Sequence, residues 1–334
     1  MKRKFYDINR INKLRLIFVF LFLFRLNGVP GQAVPDSGSI SLGYPIYSQY
    51  LQNGLIINPA YTGTRGALSA LLSYRMQWIG TNGSPVIQSV SLHTPMKNDK
   101  VSLGILAQFM QFGFTKSTSI YASYAYNIRV AKGKLSFGLK GGADFSNTDY
   151  TGILLTAKDD APPDPVFSSI NKPYILPNVG AGLYYYSNKL FAGVSVPSFL
   201  SYKKTGTGGV QAYHKFSEYD IIFSAGGLIT ISPFLKFKPS MLMDYSLKNA
   251  KKINQFDING NFILADLIWI GGSWRTTEKV AVGILQIQPT PQLMIGFSYD
   301  YPVGNMKAYS KGSTEIIIRY EFGYKVSAAN PRYF

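Results

Sequence analysis

Side chains suited to proton transfer are scarce in this chain: His93 and His214 are its only histidines. Hydrolysis by a serine or threonine needs a positioned base, most often an imidazole. His93 lies in "SVSLHTP", on the polar side of an alternating segment with Ser89 and Ser91, where a hydrogen bond near a turn accounts for it. His214 stands between Tyr213 and Lys215, and spacing identifies no partner for it. Asp159, Asp160 and Asp164 in "KDDAPPDP" have the oxygens that calcium uses, but prolines interrupt any ligand spacing and nothing matches an EF-hand loop. "TGTGG" (205–209) lacks the Lys-Ser/Thr helix start of a phosphate cradle. There is no cysteine, which excludes disulfides and thiolate zinc sites. The expectation is a protein without catalytic residues, cofactor or metal, and therefore not an enzyme.

The elements that carry these residues say more. The chain has 334 residues, 46% hydrophobic and 15% charged, with a mean hydropathy of +0.03. That is too low for a bundle of membrane helices. Tyr, Phe and Gly are abundant, a composition that suits antiparallel sheet. "MKRKFYDINRINKLR" followed by "LIFVFLFLF" reads as the basic and apolar parts of an export signal, too short to span a bilayer. Gly31 and Ala33 are small residues at a signal-peptidase site, so 1–33 is taken as the signal and Val34 as the mature start. The formal charge of +17 includes seven Lys/Arg and one Asp of that signal; the remainder carries +11.

After Val34 the dominant pattern is a two-residue period. In "LSFGLKGGADF", Leu135, Phe137, Leu139, Gly141, Ala143 and Phe145 share one face, and Ser136, Gly138, Lys140, Gly142 and Asp144 share the other. "VSLGILAQF", "SALLSYRMQW" and "EIIIRYEF" repeat this arrangement. The same template predicts fourteen strands, centred near 74, 90, 105, 122, 139, 182, 193, 223, 240, 260, 270, 283, 297 and 318. Each is about nine to eleven residues long, enough to cross a tilted outer-membrane wall. Those near 193, 223 and 270 are less regular, because their second face is also partly apolar.

A soluble sandwich would alternate too. Two features favour a barrel. Aromatic residues gather at the ends of the apolar face, and the connections separate into a short set and a long set. "TPMKND", "VAKGK", "YSNK", "ISPF", "LAD" and "QPTPQ" are short and assigned to the periplasm. The long set carries Lys203, Lys204, Lys248, Lys251, Lys252, Lys307 and Lys311, suited to an anionic lipid surface. No basic stripe interleaved with aromatics points to nucleic acid. The fold class is thus all-β, a transmembrane antiparallel β-barrel. Residues 34–66 form a periplasmic entry segment, 67–322 the barrel, and 323–334 a periplasmic tail.

Several stretches resemble one family. "SQYLQNGLIINPAYTGTRGALS" (48–69), "YRMQWIGTNGSPVIQSVSLHTPM" (74–96), "YASYAYNIRVAKGKLSFGLKGG" (121–142), "GSTEIIIRYEF" (312–322) and the ending "NPRYF" (330–334) resemble the PorP/SprF-like proteins of type IX secretion and gliding in Bacteroidetes. The residues that carry the likeness are Asn58, Pro59, Ala60, Tyr61, Gly63, Trp78, His93, Pro95, Pro331, Arg332, Tyr333 and Phe334. They are read as a mark on the periplasmic rim. Thr314 stands where the family often has histidine, so no role carries over to it. The resemblance implies an integral outer-membrane barrel in contact with lipid. It would assist export or surface attachment of a cargo protein such as an adhesin, or dock a periplasmic peptidoglycan-binding component. The alternative on the same fold is a pore for small solutes or hydrophobic ligands.

Overall fold

A computed structural model describes residues 39–40, 47–96, 99–148, 173–204, 209–248 and 252–323. The export signal, the acidic loop at 159–164 and the terminal "NPRYF" lie outside the described residues. Among the described residues no helix is long and apolar enough to cross a membrane.

The wall is a closed antiparallel barrel of fourteen strands. They are β1 (Leu68–Met76), β2 (Val86–Pro95), β3 (Val101–Phe112), β4 (Thr115–Val130), β5 (Gly133–Thr148), β6 (Tyr174–Ser187) and β7 (Leu190–Val196). They continue as β8 (Asp220–Gly227), β9 (Leu235–Ser246), β10 (Lys252–Leu264), β11 (Ile268–Arg275), β12 (Val280–Ile287), β13 (Leu293–Pro302) and β14 (Ser313–Phe322). A short strand, Ile229–Ser232, prolongs β8 along β9. Neighbours in sequence pair throughout, and β14 closes on β1 with Thr314 opposite Met76 and Phe322 opposite Leu68. Closure leaves the wall without an unpaired edge, which an open sheet of this size would expose.

Every expected strand centre falls inside an observed strand. The lengths spread more widely than nine to eleven residues. β4 and β5 each run for sixteen, because their ladder continues as far as Thr115 opposite Thr148. β7 has only seven, because the chain leaves the wall at Pro197, whose nitrogen cannot donate to a ladder. The Asn178 side chain covers that break: its Oδ1 accepts from the Phe199 and Leu200 N–H groups.

Burial confirms the two faces. Leu72, Ile105, Leu139, Ile258 and Ile316 point outward, with Leu139 61% exposed, while Ser73, Arg75, Ser136, Lys140 and Glu315 are buried inside. Outward aromatics form two belts. Tyr124, Tyr126, Phe137, Phe262, Tyr320 and Phe322 lie toward one end; Tyr74, Phe109, Phe145, Trp274, Tyr299 and Tyr301 lie toward the other. A soluble sandwich would lose the burial of this whole surface at about 25 cal/mol per Å². A barrel in hydrocarbon does not. Connections at the first end (96–100, 131–132, 188–189, 233–234, 265–267 and 288–292) are short. Those at the second include 77–85, 149–173, 197–219 and 303–312, beside the tight ones at 113–114 and 276–279. These are called below the short-turn and long-loop ends.

The interior is not empty. The segment Tyr47–Arg65 runs within the lumen and is buried over almost its whole length. It contains one helical turn, α1 (Gly54–Ile57), and a 3-10 turn at Pro59–Tyr61. Its apolar residues Tyr47, Tyr50, Leu55, Ile56, Ala60 and Tyr61 share one core with Phe191, Ile222 and Trp269 from the wall. Those three wall residues belong to the strands whose second face is apolar. The irregularity in their alternation is the imprint of the segment they cover.

Candidate functional site

The lumen segment is the place where distant parts of the sequence meet. Pro59 fixes its own φ and holds Asn58 extended, at φ −146° and ψ 116°. In that conformation the Asn58 side chain works in two directions. Its Oδ1 accepts from the Ala60 N–H at 2.9 Å and caps the 3-10 turn. Its Nδ2 donates to the carbonyls of Leu183 at 2.9 Å and Val194 at 3.3 Å, on β6 and β7. The wall makes room with glycine. A Cβ on Gly182 would lie 2.1 Å from Asn58 Oδ1, and one on Gly138 would lie 2.1 Å from the Ala60 nitrogen.

Tyr61 follows and presents its ring edgewise between His93 and Tyr184, with centroid distances of 5.5 and 5.6 Å. Thr62 turns its hydroxyl back to the Pro59 carbonyl at 2.6 Å. Gly63 then adopts φ +77°, a region that an L side chain disfavours, and its N–H donates to His93 Nδ1 at 3.0 Å. That bond makes Nδ1 an acceptor, so the geometry assigns the imidazole proton to Nε2. His93 is thereby committed to holding a backbone turn.

Charged residues pin the segment at both ends. Near the short-turn end Arg65 pairs with Glu321 at 2.7 Å, Arg319 lies 3.4 Å from the same carboxylate, and Arg319 also donates to the Gln52 side chain. Toward the long-loop end, Ser48 donates its hydroxyl to Asp300 at 2.6 Å and its N–H to Glu315 at 2.7 Å. Arg75 joins both carboxylates, at 2.7 Å to Asp300 and 3.3 Å to Glu315. Arg275 bridges Asp257 at 3.2 Å and Asp300 at 3.5 Å. Arg75 and Arg275 are each 1% exposed, so these are buried ion pairs whose charges depend on one another. Between the clusters Gln49, Gln286 and Gln52 form a chain, and Asn259 donates to the Tyr50 hydroxyl.

Packing is tight below the upper cluster. The space enclosed by Tyr50, Leu51, Gly54, Ile57, Tyr61 and Phe191 measures about 10 Å³, room for about one water. A larger cavity of about 430 Å³ opens above the segment at the long-loop end, over Arg75, Arg275 and Asp300. No group of three or more His, Cys, Asp or Glu able to hold a metal occurs among the described residues. His214 is exposed and stands 6.2 Å from the Tyr219 ring.

The structure therefore gathers Asn58, Pro59, Ala60, Tyr61, Gly63 and His93, and it revises where they act. Asn58 to Tyr61 are inside the lumen rather than on the periplasmic rim, because their apolar surface is buried against the wall. Gly63, His93 and Pro95 do lie together near the short-turn end, where a Cβ on Gly63 would come 3.3 Å from the Pro95 nitrogen. Trp78 belongs to the opposite end: it follows β1 at φ 51° and packs edgewise on Phe112. Pro331, Arg332, Tyr333 and Phe334 lie outside the described residues. The pairing partners of Ser48 and Arg65, namely Arg75, Asp300, Glu315 and Glu321, were not singled out by the sequence. In a strand pattern they read only as lumen-facing polar residues.

Asn58 offers a direct test of the seat. Replacing it with alanine removes the cap and both wall bonds and leaves buried partners unmet, at a cost of about 1–3 kcal/mol. The expected result is a lower temperature for heat-modifiable unfolding than in wild type. An unchanged transition would mean that these bonds contribute nothing net.

A barrel with outward aromatic belts and a lumen closed by its own N-terminal segment defines a class: a plugged, integral outer-membrane β-barrel. Within that class the chain belongs to the PorP/SprF family, the type IX secretion system membrane proteins, whose family model matches residues 39–320. Membership ties it to the type IX secretion machinery. No curated protein matches the chain. Among solved structures it is similar to the Acinetobacter baumannii outer membrane protein Omp33, with 8% identity, 77% of this chain and 100% of that chain covered, and a TM-score of 0.43. It is also similar to the CymD monoaromatic hydrocarbon channel, with 14% identity, 86% and 95% coverage, and a TM-score of 0.47.

Proposed function

We propose that the protein is a non-enzymatic scaffold of type IX secretion, assisting export or surface attachment of a cargo protein or docking a periplasmic component of the machinery. The observation that carries this reading is the filled lumen. Tyr47–Arg65 is held by the Arg75–Asp300–Glu315 cluster at one end and by Arg65–Glu321 at the other, which suits a fixed platform. An open passage for solutes would need that segment elsewhere, so the packing favours the scaffold over the pore. The short turns offer the periplasmic face for docking.

Deleting the gene and profiling the secreted and surface proteins should show the loss of at least one type IX cargo, restored by the wild-type gene. Unchanged export of every cargo would overturn the reading.

A further inference from the structure

The lumen segment has a direction. Ser48 is fixed in the half of the barrel nearer the long loops, by Asp300 and Glu315. Gly63 and Arg65 are fixed near the short turns by His93 and Glu321, and β1 begins at Leu68 directly afterwards. The chain thus descends through its own barrel before the first wall strand. Upstream, Ser39 and Ile40 pair antiparallel with Lys203 and Tyr202. Those residues belong to the connection that leaves the upper end of β7, and they pair in turn with Val210–Tyr213. The strand that precedes the lumen segment is therefore part of a small sheet at the long-loop end.

A return of the upstream chain toward the short turns would need a second passage beside the first. Beside Tyr50, Gly54, Tyr61 and Phe191 the free space measures about 10 Å³, so at that level the segment leaves no room for another stretch of backbone. In bacterial barrels the short turns face the periplasm and the long loops face outward. We infer that the strand Ser39–Ile40 is displayed on the exterior face, so that Tyr47–Arg65 is a strap that runs down through the lumen from that face and is anchored to the wall near the short turns inside. This reverses the expectation that residues 34–66 enter from the periplasm. It makes Ser39–Ile40, Ser201–Lys204 and Val210–Tyr213 a joint sheet on the exterior face. It rests on the barrel alone and stands whether or not the secretion reading holds.

The absence of native cysteine makes the test clean. Full-length proteins carrying Ser39→Cys, Tyr309→Cys or Lys132→Cys are treated in intact cells with a membrane-impermeant maleimide, and again after the outer membrane is permeabilised. Tyr309, 73% exposed, marks the long-loop end, and Lys132 marks a short turn. Ser39→Cys should label in the same condition as Tyr309→Cys, with at least a severalfold excess over Lys132→Cys in intact cells. Labelling of Ser39→Cys only together with Lys132→Cys would overturn the inference. A second measurement protects against poor reactivity at Ser39: the Ser39→Cys, Lys203→Cys pair should form an intramolecular disulfide on oxidation of the folded protein. Failure to cross-link in a sample with wild-type heat-modifiable migration would also overturn it.

Discussion

Gly138→Val should turn a sealed barrel into a conducting one. Gly138 faces the lumen on β5, where the backbone of Pro59 and Ala60 rests directly on it. A Cβ there would lie 2.1 Å from the Ala60 nitrogen and 2.4 Å from its Cα, and both are backbone atoms that no rotamer change can move. Either β5 or the segment must shift. β5 is held by full ladders to β4 and β6, so the segment is the part that gives way. Overpacking of this kind ordinarily costs about 1–3 kcal/mol, and leaving the seat also forfeits the Asn58 bonds to Leu183 and Val194. The purified variant should keep heat-modifiable migration and show stepwise openings in a planar bilayer, where the wild type stays silent. Gly141→Val is the matched control: it lies on the outer face of the same strand, and its nearest neighbour would be Val179 Cγ1 at 3.9 Å. A silent Gly138→Val with its N-terminal segment still protected from protease would refute this account of the seal.

The second large effect is expected at Asp300. Its carboxylate accepts from Ser48, pairs with Arg75 at 2.7 Å and lies 3.5 Å from Arg275. Asp300→Ala leaves two buried guanidinium groups short of a countercharge and removes one of the two carboxylates that hold Ser48, leaving Glu315. Breaking a buried pair by deleting one partner costs about 3–5 kcal/mol, because the other charge stays desolvated. The variant should unfold from its compact gel form at a clearly lower temperature than wild type. Its segment should also become accessible to protease from the long-loop side. Asp266→Ala provides the contrast. Asp266 pairs with Lys236 at 2.7 Å near a short turn, yet it is about a third exposed, and such a pair contributes about 1 kcal/mol or less. Equal losses in the two variants would show that burial of the Asp300 cluster has no special weight.

These two positions illustrate how differently the molecule could be read from its residues. The strands were legible because a pleated strand places alternate side chains on opposite faces, a rule that needs no knowledge of distant residues. Leu139 and Lys140 declare their faces from their neighbours alone, and all fourteen centres follow. The entry motif was legible as a turn: Pro59 and Gly63 impose their own backbone geometry. Membership of the PorP/SprF family was legible too. The filled lumen was not. Ser, Arg, Asp and Gln facing inward look the same whether they meet water or a polypeptide. The one local trace was the doubly apolar face of the strands near 193, 223 and 270, where Phe191, Ile222 and Trp269 cover the segment.

By itself, then, the sequence determined the wall: the strand number, the two faces and the kind of membrane protein. What fills the lumen, and which wall residues hold it, follows only from the folded chain. The reason is the range of the interactions. Alternation and turn chemistry act between neighbours, whereas Ser48 reaches Asp300 across 252 positions and Arg65 reaches Glu321 across 256. Contacts at that separation leave no periodic signal, and only closure of β14 onto β1 brings the partners together.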